Sequence, residues 1–240
     1  MLPKVIHYCW FGRKPLPESA LKCIASWKKY LPEHEIIEWN EDNFDVNSIP
    51  YTAEAYSSGK YAFVSDYVRL WALEREGGVY LDTDVEVLRS FEPLLHDTAF
   101  IGLEESKALL PGTCVMGCMA SCQWVIDMLS IYDNARFISE DGTMNLTTNV
   151  QRMGERMIIG GLQHKRQSQY LPQWGLRVYT HDYFSPITST RVMRKTKNTY
   201  SIHHLAGSWI DSKKKGIRDW WIVREIVNLL VLIKGKIVEL

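Results

Sequence analysis

With 240 residues, 46% of them hydrophobic and 23% charged, the chain can bury one full core and is too apolar to be disordered. Lysine plus arginine equal aspartate plus glutamate at 28 each, so no basic field points to nucleic acid and none is expected as a partner. The start lacks a basic-then-apolar secretory pattern and no apolar run reaches about 18 residues, which predicts a cytoplasmic protein with reduced cysteines and no spanning helix.

Val5 to Phe11 is a β-branched and aromatic run closed by Gly12 and Pro15, and reads as a buried strand. Ser19 to Tyr30 reads as a helix with Leu21, Ile24, Ala25 and Trp27 on its apolar side and Pro32 beyond its end. Glu35 to Trp39 is a second strand, followed by the polar loop Asn40-Glu41-Asp42-Asn43. Ala62 to Glu76 is a strong helix that stops at Gly77-Gly78, where glycine can close the last turn. Val79-Tyr80-Leu81 then forms a strand that leads into Asp82 and Asp84. Strand, helix, strand, helix, strand predicts an α/β fold with a mostly parallel twisted sheet flanked by helices.

Further along, Ala99 to Gly102 and Thr113 to Met116 read as strands and Gln123 to Tyr132 as a helix. Ser139 to Asn149 reads as a polar loop, and Tyr200 to His204 as a late strand. Cys114, Cys118 and Cys122 match neither zinc nor ferredoxin spacing and read as small apolar packing. From Ile217 a basic, aromatic helix is expected. Two readings of it stand: a cap on the sheet, or a peripheral contact with an anionic membrane. No repeat or linker divides the chain, so residues 1–212 are expected to form one domain, with 213–240 packed on it or on membrane.

Chemistry concentrates in "GGVYLDTDVEVL" and the helix before it. Residues two apart on a strand face the same way, so Asp82 and Asp84 would repel unless a cation sits between them. Parallel sheets bind ligands at the carboxyl ends of their strands, and a hard divalent cation, Mn2+ or Mg2+, accepts carboxylate oxygens while keeping positions for phosphate. A D-x-D pair alone reads more simply as a solvated turn. Asp66 and Arg69, three apart on one helical face, read either as a surface salt bridge or as a pair facing sugar and phosphate oxygens.

"VIHYCWFG", "FVSDYVRLWALEREGGVYLDTDVE" and "SIHHLAGSW" together resemble the DXD-containing glycosyltransferases, a family that includes fungal initiating mannosyltransferases, bacterial capsule and lipopolysaccharide transferases and the catalytic domains of glucosylating toxins. The resemblance implies a GT-A-type nucleotide-sugar-binding domain and an enzyme. It would move a hexose from a nucleoside-diphosphate sugar, a uridine donor first, to a glycan or lipid-linked glycan acceptor in surface polysaccharide synthesis. Retention of anomeric configuration is implied as well. It places Trp10 on the base, Asn40 near base or ribose, Asp66 and Arg69 on the donor sugar and phosphate, and Tyr80 near the diphosphate. Asp82 would meet ribose, sugar or water-bridged metal, and Asp84 the metal directly. Ser208 and Trp209 would close over the diphosphate, and Thr148 and Asn149 lie where acceptor recognition is expected. The His204-x-x-Gly207 element resembles the family's histidine–glycine element at the metal. Adjacent strand residues face opposite sides, so only one of His203 and His204 should meet the metal. His204 is the choice, with His203 expected in the core. Two readings of other classes stand beside this: a non-catalytic nucleotide-sugar- or glycan-binding protein on the same fold, and a protein-glycosylating effector.

Overall fold

The computed structural model describes residues 1–104, 110–187 and 192–206. The Ser208 and Trp209 assignments, Gly207 and the C-terminal helix lie outside the described residues.

The chain opens with strand β1 (Val5–Cys9), helix α1 (Glu18–Tyr30) and strand β2 (Glu35–Trp39). Helix α2 (Pro50–Ser57), which the sequence reading passed over, precedes α3 (Tyr61–Glu76) and β3 (Gly78–Leu81). The short β4 (Val85–Val87) is followed by β5 (Ala99–Leu103), β6 (Pro111–Cys118), α4 (Gln123–Leu129) and α5 (Asn149–Ile159). Strands β7 (Gln169–Leu171), β8 (Leu176–Tyr179) and β9 (Ser201–His203) complete the described chain.

Seven strands form the central sheet in the order β2-β1-β3-β6-β5-β8-β7. Strands β2, β1, β3, β5 and β8 run one way; β6 and β7 run the other. The sheet is therefore mostly parallel and mixed, as α/β folds with antiparallel insertions are. A second, two-stranded sheet pairs β4 with β9.

Alternation along the strands sorts side chains to two core layers. Val79 and Leu81 join the layer under α1, with Trp27, Phe91 and Val115. Tyr80 points into the opposite layer, shared with Val68 and Leu73 of α3, Trp124 of α4 and Met153 of α5. Helix α1 also grips β4 by polar contacts. Trp27 Nε1 donates to the Val85 carbonyl at 2.7 Å, and the Val87 amide donates to Ser26 Oγ at 2.9 Å.

The α3–β3 junction depends on two glycines in the left-handed region. Gly77 closes α3 with φ +67°, its amide bonded to the Leu73 carbonyl at 2.9 Å; Gly78 follows at φ +93°. A Cβ on Gly78 would lie 2.5 Å from the Val5 carbonyl oxygen, and one on Gly77 2.5 Å from the Ala120 amide nitrogen. Only glycine lets the chain leave α3 and enter the sheet at this separation.

Among the described residues no helix is long and apolar enough to cross a membrane. All five cysteines are free and buried, with Cys114 and Cys118 on β6 and Cys122 at the start of α4.

Candidate active site

Three neighbouring parallel strands end together. Cys9 of β1 is level with Trp39 of β2, and His7 is level with Tyr80 of β3. Trp10, Asn40 and Asp82 therefore follow strands that finish at one edge of the sheet, the edge where α/β folds bind ligands. The loops there are tied down. Glu41 accepts the Gly12 amide at 2.6 Å and the Tyr56 hydroxyl at 2.9 Å, and the half-buried Trp10 ring donates from Nε1 to the Lys14 carbonyl at 2.5 Å. Asn40 caps its own loop, its Oδ1 accepting the Asp42 amide and its Nδ2 donating to Glu38.

Asp66 and Arg69 are not a surface pair. Both are buried, at 8% and 6% exposure, and Arg69 Nη2 lies 3.1 Å from Asp66 Oδ1. Arg69 Nη1 reaches Asp82 Oδ1 at 3.2 Å and donates to the Thr113 carbonyl at 3.0 Å, while Nε donates to the Ser65 carbonyl at 3.1 Å. Beneath it, the Tyr80 ring centre is 4.6 Å from the guanidinium carbon, and the Tyr80 hydroxyl donates to Asp82 Oδ1 at 2.9 Å. Tyr80 shares the core layer of α3, and Asp82, just past the end of β3, meets its hydroxyl on that side. A buried guanidinium needs this many acceptors to offset its lost hydration.

Asp66 has a second partner, the Asn149 amide at the start of α5, donating to Oδ2 at 3.2 Å. Burial pushes the Asp66 carboxyl up to about 6, against the opposing pull of Arg69 and of that amide. Asn149, expected in acceptor recognition, is buried beside the Asp66 carboxylate. Its Oδ1 accepts the Thr113 hydroxyl at 3.1 Å, and its Nδ2 has no hydrogen-bond partner among the described residues. Thr148 precedes the helix, its amide donating to the Gln151 side chain at 3.2 Å.

Asp82 and Asp84 lie not on a strand but in the turn between β3 and β4, closed by the Val85 amide on the Asp82 carbonyl at 3.0 Å. The turn folds their carboxylates together with the imidazole of His203, so that one ligand atom from each lies within 4.8 Å of the others.

The assignment of His204 to this group is corrected by β9. That strand pairs antiparallel with β4, Val85 opposite His203, and adjacent residues face opposite sides. His203 Nε2 lies 3.3 Å from Asp84 Oδ1; His204 turns outward to Glu86 at 3.0 Å, its side chain 45% exposed. Burial alone would depress the His203 pKa, but the adjacent Cys114 thiol and the Asp84 carboxylate reverse the sign and raise it. For Asp84, burial acts upward and His203 outweighs it, bringing the carboxyl down to about 2. The Ala206 amide donates to the other oxygen, Oδ2, at 2.8 Å.

Two carboxylates and an imidazole suit a divalent ion such as Mn2+ or Mg2+ and leave coordination positions open. The buried Nδ1 of His203 has no hydrogen bond among the described residues, and Glu104 lies 4.0 Å from it. The residues fit a metal, with Asp82, Asp84 and His203 as its holders. Thr113 is a site residue that sequence reasoning missed, and His203 is one it weighed against His204 and placed in the core. Thr113 sits 44 positions from Arg69 on an apolar strand, and no local pattern marks it.

Residues 17–101 match the family described as "Glycosyltransferase sugar-binding region containing DXD motif". Inositol phosphoceramide mannosyltransferase 3 of Schizosaccharomyces pombe is 32% identical over 104 residues, covering 42% of this chain and 29% of the relative. Subversion of eukaryotic traffic protein A of Legionella pneumophila is 27% identical over 112 residues, covering 35% of this chain and 17% of that protein. The chain thus spans under a third of the length of these relatives. A solved glycosyltransferase involved in the glycosylation of the major capsid of PBCV-1 superimposes with a TM-score of 0.50 at 12% identity, covering 85% of this chain and 95% of the other, a likeness of fold. Asp66, Arg69, Asp82 and Asp84 all lie within the residues that match this family.

Proposed function

We propose, from the match of residues 17–101 to that sugar-binding family, that the protein is a metal-dependent glycosyltransferase. The donor is a nucleoside-diphosphate sugar, with a uridine diphosphate sugar as the first choice. The acceptor is a glycan or lipid-linked glycan, and the setting is surface polysaccharide synthesis in the cytoplasm. The carrying observation is the convergence of Asp82, Asp84 and His203 beside the buried Arg69–Asp66 pair.

A bound divalent ion supplies Lewis-acid stabilisation of the charge that grows on the diphosphate as the sugar leaves. The chain's own residues do the rest. Arg69, held by oxygens of Ser65, Asp66, Asp82 and Thr113, presents fixed positive charge that need not reorganise during the reaction. Asp66 keeps acceptor capacity for sugar hydroxyls, because Arg69 and the Asn149 amide occupy only part of it. Trp10 and Asn40, on the adjoining loops, bracket the nucleoside. Ser208 and Trp209 close over the diphosphate, and residues 1–212 form the catalytic domain. Transfer retains anomeric configuration, the acceptor attacking from the face the diphosphate leaves. Among the described residues the cluster's carboxylates are bound to Arg69 or grouped with His203, and none of them is assigned as a covalent nucleophile.

The test is a panel of nucleotide sugars with Mn2+, read as thermal stabilisation and slow donor hydrolysis. A ligand that binds only the folded state raises its apparent stability, so donors rank without any acceptor. One donor should stand out, and only with metal. A flat panel with and without Mn2+ would remove the proposal.

A further inference from the structure

A cavity of about 360 Å³, separate from the carboxylate cluster, opens on the flank of α5. Ile131, Thr147, Arg152, Glu155, Arg156 and Ile159 line it. Arg152 and Arg156 are four apart on one helix, so their side chains leave the same face roughly 6 Å apart. Arg152 Nε donates to the Thr147 carbonyl at 3.2 Å, and its guanidinium carbon lies 5.6 Å and 5.8 Å from the ring centres of Tyr51 and Tyr132. Among the described residues its buried Nη2 has no hydrogen-bond partner, and neither do the hydroxyls of the two tyrosines. A charged donor left this way costs stability unless a ligand completes it.

Neither arginine has an ion pair among the described residues, and Glu155 is the cavity's one acidic lining residue, so the lining keeps a net positive charge. Beside the arginines the wall is aliphatic. Ile159 is 76% exposed, and Leu146, next to Thr147, is 56% exposed. The cavity also falls within the size of small-molecule sites, roughly 300–1,000 Å³. Its position relative to the chemistry is set by one rigid element. Asn149, whose amide holds Asp66, is a single turn before Arg152 on α5, about 4.5 Å of helix rise.

We propose that this cleft is an anion subsite for the acceptor, in which Arg152 and Arg156 hold a phosphate group and Ile131 and Ile159 take the apolar part beside it. Two guanidinium forks match a tetrahedral anion with several oxygens better than a neutral hydroxyl. The proposal rests on the transferase reading and adds to it the class of acceptor, a phosphorylated one.

Two phosphate sources separate in the test. Binding of glycerol 3-phosphate, with glycerol as the neutral control, is measured by calorimetry. Pelleting with phosphatidylcholine vesicles, with and without phosphatidic acid, reports a lipid headgroup. The full chain should bind at least one phosphate probe. Arg156→Glu should weaken that binding by about tenfold or more, and Arg156→Lys should restore part of it. Arg156 is exposed, and a matched melting temperature for the variants confirms that the loss is not unfolding. Failure of both probes, or equal binding by wild type and Arg156→Glu, overturns the subsite. Nucleotide-sugar stabilisation is followed in parallel in the wild type. If it is present while phosphate binding is absent, the subsite alone fails; if it is absent, the transferase reading fails.

Discussion

Arg69→Met removes the cation shared by Asp66 and Asp82 and keeps most of the side-chain volume. In the wild type, Arg69 opposes the burial that lifts the Asp66 carboxyl to about 6. An unfolded aspartate titrates near about 3.9, so the folded state holds this proton more tightly. Stability from this group therefore falls as pH rises from about 4 to about 6 and is flat above. Without Arg69, the folded pKa of Asp66 rises further and the falling window extends towards neutrality. At pH 8 the variant must carry an uncompensated buried anion, or take up a proton at a cost. Either way the loss is about 3–5 kcal/mol, the usual result of removing one partner of a buried pair. At pH 5 Asp66 is protonated in both proteins. The remaining loss is then the pairing of Asp82 and of the Ser65 and Thr113 carbonyls with their donor, about 1–2 kcal/mol. Thermal unfolding followed by tryptophan fluorescence at the two pH values reads the difference. At pH 8 the midpoint should drop by roughly 6–20 °C relative to wild type. The titrations of Asp84 and His203 are common to both proteins and cancel in the comparison. A drop of the same size at pH 5 and pH 8, or one under about 1 kcal/mol, would refute the buried-pair reasoning.

Asp84→Asn should abolish metal-dependent donor cleavage with the fold intact; full turnover in a Mn2+-supplemented assay would remove Asp84 from the site. His203→Gln should weaken Mn2+ binding by about tenfold or more, whereas His204→Gln should leave it within about twofold. The free Mn2+ signal in electron paramagnetic resonance reads both, and the reverse order would restore His204 as the ligand. Gly78→Ala places a Cβ 2.5 Å from the Val5 carbonyl at a φ of +93° and should cost about 3 kcal/mol or prevent soluble expression. An unchanged melting temperature would show that the α3–β3 junction relaxes freely.

The legible parts of this chain are those with dense local signals. The strand at Glu35 to Trp39 has the bounds expected of it, and α3 begins one residue earlier than expected, at Tyr61. A short apolar run ended by a polar loop marked the strand, and a long helical pattern stopped by Gly77-Gly78 marked α3. Helix α2 escaped because its eight residues hold little amphipathic contrast, and β7 and β8 because three- and four-residue strands carry almost no period to read. Helix α5 was hidden behind a stretch whose polar composition reads as loop up to Asn149.

The same division runs through the site. The chain alone determined that Asp66 and Arg69 share a helical face, that Asp82 and Asp84 follow a buried strand, and that the strand order is α/β, since each is a matter of neighbours within a few residues. The tertiary structure alone decided the rest. It buried the Asp66–Arg69 pair, brought Thr113 and Asn149 to it from distant elements, and set His203 rather than His204 beside Asp82 and Asp84. That last choice depends on the register of β9 against β4, and a one-residue slip would exchange the two histidines. Register is set by pairing across more than a hundred residues of chain, which no local pattern encodes.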